Sequence, residues 1–218
     1  MPTTLLVATH NPGKVREYRA LLAALPLTVT WLDELGITHE VEETESTFDG
    51  NATLKARAYA ALSGCWTWAD DSGLSVDALD GRPGVLSARY GGPGLSDADR
   101  WARVLADLAD VPQEEWTAAF HCTVAIATPQ GELRLAHGRL EGLITSEPRG
   151  SHGFGYDPIF FLPELGLTLA EVAPDVKNRI SHRARASAAA RDLLAELLAA
   201  EGAAATGAGT ENSTAARA

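Results

Sequence analysis

The sequence predicts an α/β protein built on a mixed β-sheet, and three observations predict it. Short apolar runs of strand length alternate with segments whose apolar residues recur at helical spacing. One stretch, from Thr117 to Leu143, alternates apolar and polar residues about a Pro-Gln-Gly turn, which reads as a long antiparallel hairpin within that alternation. The 218 residues with 45% hydrophobic content suit one domain with a sizeable core, and 22% charged content excludes a disordered chain.

Thr4 to Ala8 is a short apolar run, readable as a buried strand, and it stops at the turn cluster Thr9-His10-Asn11-Pro12-Gly13-Lys14. Val15, Tyr18, Leu21, Leu22 and Leu25 then recur at helical spacing. A second helix is predicted from Phe48 to Ser63, with Ala52, Ala56, Tyr59 and Ala60 on one face and Lys55 and Arg57 toward others. Trp66 to Ala69 reads as a strand ending at Asp70-Asp71-Ser72-Gly73. Turns at Asp80-Gly81 and Pro83-Gly84 and a loop at Gly91 to Gly94 follow. Ser96 with Asp99 resembles a capping box, ahead of Trp101, Val104, Leu105 and Leu108 on one helix face. After the hairpin, Ser146 to Gly155 is a loop, and a last helix starts near Ser181. The domain is predicted to span residues 1–201, leaving the Ala- and Gly-rich residues 202–218 as a disordered tail.

Eighteen Lys and Arg face 29 Asp and Glu, a net charge of −11, which argues against nucleic acid as a partner because neutralising phosphates needs a basic surface. No stretch reaches the roughly 20 apolar residues of a membrane span. A soluble, cytoplasmic protein without a membrane partner is therefore expected. Cys65 and Cys122 sit at no metal-ligand spacing and read as buried, reduced thiols. Between Asp33 and Asp49 lie seven acids and no Lys or Arg. Most read as a solvated face; one or two could join another carboxylate around a divalent cation, which would let an acidic protein hold a polyanion.

Four segments carry residues suited to chemistry. Thr9 to Lys14 lies between a strand and a helix, where unpaired helix N–H groups face an anion. It is not a Walker A loop, because Lys14 is followed by Val15, but Thr9, Asn11 and Lys14 offer polar and charged contacts to phosphate. Asp70-Asp71-Ser72 is either a solvated turn or a catalytic pair. Neighbouring strand residues point to opposite faces, so one aspartate should face the cleft and the other should cap nearby N–H groups. Gly153 to Pro158 brings two glycines and the aromatics Phe154 and Tyr156, able to stack on a base or to fold into the core. Lys177, Ser181, His182 and Arg183 read as a helix start, or as donors aimed at a ligand. There is no Gly-x-Ser-x-Gly elbow and no pair of histidines four apart, so a serine hydrolase and a helical zinc pair are excluded.

LLVATHNPGKVREY, TFDGNATLKARAYA, ADDSGLSVDALDGRPGVLSARYGG, FHC, GFGYDPIFF and SHRARA, in that order and spanning Leu5 to Ala199, resemble the inosine/xanthosine triphosphate pyrophosphatase family. The resemblance implies two lobes on a long mixed sheet flanked by helices, an active-site cleft between the lobes, and a homodimer. It implies Mg²⁺-dependent hydrolysis of deaminated purine nucleoside triphosphates (ITP, dITP, XTP) to monophosphate and pyrophosphate. By matching position, Thr9, His10, Asn11, Pro12, Gly13 and Lys14 would bind triphosphate. Asp71, with Asp70, would be catalytic. Asp71 with Glu42 or Glu43 would hold the metal. Asn51, Lys55 and Ser72 would touch substrate, and Phe154, Gly155, Tyr156, Asp157, Lys177, His182 and Arg183 would line the base pocket. Two positions depart from the family pattern: His10 where Gly is common, and Gly50 where Glu is common.

A pocket of donors (Lys177, His182, Arg183) would favour a 6-oxo purine and disfavour ATP, whose 6-amino group would leave them unpaired. Guanine also carries a 6-oxo group, and the sequence shows nothing that would exclude GTP. Two other readings stay open: a nucleotide pyrophosphatase of the Maf type, and a triphosphate sensor without catalysis.

Overall fold

A computed structural model describes residues 3–207. Its strands are β1 (Thr4–Val7), β2 (Thr28–Trp31), β3 (Trp66–Val76), β4 (Thr117–Ala127), β5 (Leu133–Ile144), β6 (Phe160–Leu162) and β7 (Leu167–Thr168). They form one sheet in the order β2-β1-β3-β4-β5-β6-β7. β1 pairs parallel with β2 and β3, and every later pairing is antiparallel. The sheet is mixed, as predicted.

The helices are α1 (Pro12–Leu22), α2 (Phe48–Ser63), α3 (Asp97–Asp107), α4 (Pro174–Ile180) and α5 (His182–Gly207). Their ends follow local chemistry. Asn11 caps α1, with Pro12 in its first turn. Thr47 caps α2, and Gly64 closes it in the left-handed conformation at φ 67°. Ser96 and Asp99 form the expected capping box on α3. The predicted bounds of α2 match the structure.

Around the parallel end of the sheet, α1 and α5 cover one face over Tyr18, Trp68, Val124 and Leu194, while α2 covers the other over Leu6, Ala52, Tyr59 and Ala125. A separate core gathers Leu74, Val104, Leu108, Phe120, Leu140 and Phe160 at the far end of the long strands. β3, β4 and β5 run through both regions, so two lobes share one sheet.

Four expectations need correction. β3 does not end at Asp70 but continues to Val76, because β4 pairs with it from Thr67↔Ala127 to Val76↔Ala118. β2 escaped prediction: its four residues are too few to show a period. α4 is a separate short helix, so Lys177 belongs to it, whereas Ser181 caps the start of α5, its Oγ accepting from the Ala184 amide at 3.1 Å. Finally, α5 runs six residues beyond Glu201, to Gly207. The rest of the expected tail, residues 208–218, lies outside the described residues.

α5 lies so close to β5 that a Cβ on Gly138 would fall on the His182 carbonyl oxygen and the Ala186 amide. Backbone cannot give way as a flexible side chain does. Gly138→Ala is expected to destabilise the protein by at least about 2 kcal/mol in urea unfolding; an unchanged midpoint would contradict this packing.

Candidate active site

β1 stops pairing with β3 at Val7↔Trp68, while β3 goes on for another eight residues. Past that point one edge of β3 opens into a cleft of about 850 Å³. Asp70 and Asp71 occupy the opened stretch and both line the cleft. The expectation that only one would do so fails because the cleft meets the strand at its free edge, where both faces are within reach.

Asp70 is buried against Lys14 (Nζ at 2.8 Å) and Arg183 (3.7 Å). Burial would raise its carboxyl, but Lys14, Arg183 and Lys55 outweigh burial and hold it well below the usual range. It is a fixed negative charge that cements the Thr9–Lys14 loop to α5, rather than the backbone cap expected of the second aspartate. The nearby Cys122 thiol is pushed up to about 12, by burial first and then by Asp70, and stays protonated.

In the loop from Thr9 to Lys14 the Asn11 side chain accepts from the Gly13 and Lys14 amides, at 2.8 and 3.1 Å. The first free amides of α1 are thus spent on its own cap, so side chains rather than these N–H groups face the cleft. Thr9, His10, Asn11 and Lys14 line it. Pro12 and Gly13 do not; a Cβ on Gly13 would come within 2.6 Å of the Phe154 ring, so this glycine lets the aromatic loop pack on α1.

Asp71 receives bonds from Asn51 Nδ2 (3.1 Å) and the Ser72 amide (3.1 Å), with Lys55 Nζ at 3.5 Å. Burial raises its affinity for a proton; Lys55 opposes and Glu43 adds to the rise. Lys55 also meets Glu43 at 2.5 Å, and Glu43 binds Arg89 at 3.0 Å. Asn51, expected to touch substrate, is fully buried and does not line the cleft. It bonds the Glu45 amide (2.9 Å), the Glu45 carbonyl (3.3 Å) and Asp71, tying the acidic loop to β3.

Among the described residues no three His, Cys, Asp or Glu side chains converge as a metal cage. A cation here would find Asp71 and Glu43, the two carboxylates that share Lys55. Glu42 also lines the cleft but is exposed and makes no ion pair among the described residues.

Phe154, Gly155, Tyr156, Asp157, Lys177, His182 and Arg183 all line the same cleft, with Ser72. Their donors are more committed than the sequence suggested. Lys177 Nζ lies 2.7 Å from Asp157 and 2.9 Å from Glu17. Arg183 pairs with Glu17 and donates to Ser72 Oγ at 3.0 Å. His182 stacks on Phe120 with centroids 4.6 Å apart, and its Nδ1 is buried without a partner. Burial, then Arg183 and Lys177, hold His182 well below the usual histidine range, so it is neutral. Arg183 Nε is likewise buried without a partner, so the free donors of this group are the His182 ring, Arg183 Nε and what remains of Lys177. Lys177 and Arg183 also lie over the Phe154 ring, at 5.1 and 5.4 Å.

A model of the Ham1 family matches residues 5–193. The chain belongs to the Ham1 family. It is 50% identical over 192 residues to a dITP/XTP pyrophosphatase of Geobacter sulfurreducens, covering 88% of this chain and 96% of that one. Identity to the dITP/XTP pyrophosphatase of Bacillus subtilis is 48%, covering 83% and 91% of the two chains. A HAM1 protein from Coxiella burnetii has a similar structure, with TM-score 0.82, 40% identity and coverage of 89% and 99%.

Several residues in or behind the cleft of this Ham1 protein escaped sequence reading. Arg89 and Arg100 sit far along the chain from the loops they face, with no local signal. Glu17 lies within helical spacing, where an acid reads as solvated surface, yet it bridges two buried cations. At the two departures from the family pattern, His10 places Nδ1 2.7 Å from Asp33 and buries Nε2. A side chain at Gly50 would meet the Glu45 Cβ at 2.6 Å, so the acidic loop packs where a longer residue would stand.

Proposed function

We infer that this Ham1 protein is a hydrolase that cleaves deaminated purine nucleoside triphosphates (ITP, dITP and XTP) to the monophosphate and pyrophosphate. The observation that carries the reading is one cleft lined by Lys14, Asp71, Phe154, Lys177 and His182 together. A phosphate-binding lysine, a proton-accepting carboxylate and a donor-bearing aromatic pocket suit the two ends of a nucleotide. The relatives named above support the same chemistry.

Asp71 accepts the proton of a water that attacks the α-phosphorus, and its raised proton affinity suits it to that task. Asn51 and the Ser72 amide fix its carboxylate. Lys14 faces the phosphate chain and Lys55 stands between Asp71 and Glu43, where negative charge accumulates. The neutral His182 ring and Lys177 donate to the 6-oxo group.

Mg²⁺ is the cofactor of this reading. The cleft lining carries seven acids against six Lys and Arg, so it would repel a triphosphate unless a cation joined it. Asp71 and Glu43 would hold the ion, with phosphate oxygens and water completing the shell that Mg²⁺ prefers. When bound, Mg²⁺ would neutralise charge developing on the phosphates. A homodimer in the cytoplasm completes the reading; sedimentation velocity tests the dimer.

With ITP and Mg²⁺ the purified protein should release pyrophosphate and IMP, at a kcat/KM well above those for ATP and GTP. Orthophosphate as product, or equal rates on all four nucleotides, would refute the reading. Chelation by EDTA should abolish release.

A further inference from the structure

We propose that Arg100 sets base specificity by reading the 2-position of the purine, favouring xanthine and rejecting guanine. The inference rests on the activity inferred above and supplies what the sequence lacked, an element that penalises the 2-amino group of GTP.

Arg100 enters the cleft from α3, a different wall from the Lys177 and His182 donors on α4 and α5. Asp97, three residues earlier and so on the same helix face, accepts the Gly155 amide at 2.7 Å. That bond seats the start of α3 against the aromatic loop and brings Arg100 to the base end of the cleft. Tyr156, next in the loop, is anchored by its hydroxyl on the Ser87 carbonyl at 2.8 Å. The Arg100 guanidinium makes one long bond, 3.3 Å to Asp97, and its Nε is buried with no partner. A buried N–H without an acceptor is costly, and a ligand oxygen would relieve it.

A guanidinium has five donors and no acceptor. Xanthine offers an oxo acceptor at C2, hypoxanthine a bare C–H, and guanine an amino donor. Arg100 would gain a charge-assisted bond with the first, stay unpaired with the second, and meet donor against donor with the third. Discrimination by unpaired polar groups is the stronger kind, because the site's own donor is left unsatisfied by the wrong base.

The test compares kcat/KM for XTP, ITP and GTP in the wild type, Arg100→Met and Arg100→Lys. Met keeps the bulk without a donor. It should lower XTP relative to ITP by about tenfold or more and raise GTP relative to ITP; Lys should restore part of the XTP preference. Equal loss on all three substrates would place Arg100 at the phosphates or ribose and overturn the proposal, as would unchanged ratios. Calorimetric binding of XMP, IMP and GMP to the same proteins reads the base preference without turnover. Unchanged monophosphate ratios in Arg100→Met overturn the proposal alone, whereas wild type that binds XMP over GMP but releases no pyrophosphate overturns only the activity.

Discussion

Asp71→Asn is expected to lower kcat for ITP by about 10³-fold, the scale of a lost general base, while the melting temperature stays within a few degrees. The amide keeps the size of the carboxylate and its oxygen can still accept from the Ser72 amide, while its NH2 takes the place of the oxygen that accepts from Asn51; one lost bond costs about 1 kcal/mol, so the strand and the acidic loop should hold their places. What it loses is the capacity to take a proton and half of the carboxylate pair around Lys55. The burial that raises this carboxyl makes it a better proton acceptor than an exposed aspartate would be. Steady-state kinetics with pyrophosphate detection, alongside a thermal melt, checks both halves. Turnover near wild type would remove Asp71 from the mechanism.

The largest expected effect on stability is at Glu17. Its carboxylate lies between Lys177 (2.9 Å) and Arg183, both almost completely buried. Glu17→Gln removes the carboxylate shared by both cations, leaving Asp157 at Lys177 and Asp70 at Arg183, and breaking a buried ion pair from one side costs up to about 3–5 kcal/mol. The pH dependence has a definite sign. Burial would raise the Glu17 carboxyl, but Arg183 and Lys177 outweigh it, so the folded value is lowered from 4.5. A lowered folded value means stability that is fully present above the unfolded value and lost as pH falls below it. Urea unfolding should therefore show a large wild-type advantage at pH 7 that shrinks as the pH drops under about 4.5. An advantage that grew toward acid pH would contradict the ion network.

Much of the fold was legible because its signals are local. Asn11, Thr47 and Ser96 each satisfy helix amides two or three residues away, and a cap needs no partner from elsewhere in the chain. The hairpin of β4 and β5 carries its alternation over 11 and 12 residues, long enough for the period to declare itself. β2 and α4 are short, and their stability comes from neighbours rather than from any pattern of their own. At the site, Asp71, Lys14 and Phe154 were visible as chemistry-bearing residues beside turns. Asn51 was visible too, but its place behind Asp71 rather than in the cleft depends on how the acidic loop folds back onto α2.

The sequence by itself determined the longer helices, the hairpin, the acidic balance and the loops that carry the candidate site residues, since caps and periodicity act within a few residues. Tertiary structure alone decided that both aspartates reach the cleft, because β1 ends eight residues before β3 does. It also decided which donors remain free for a base. Glu17 and Arg183 meet across 166 positions, a pairing whose energy exists only once burial has removed the water between them.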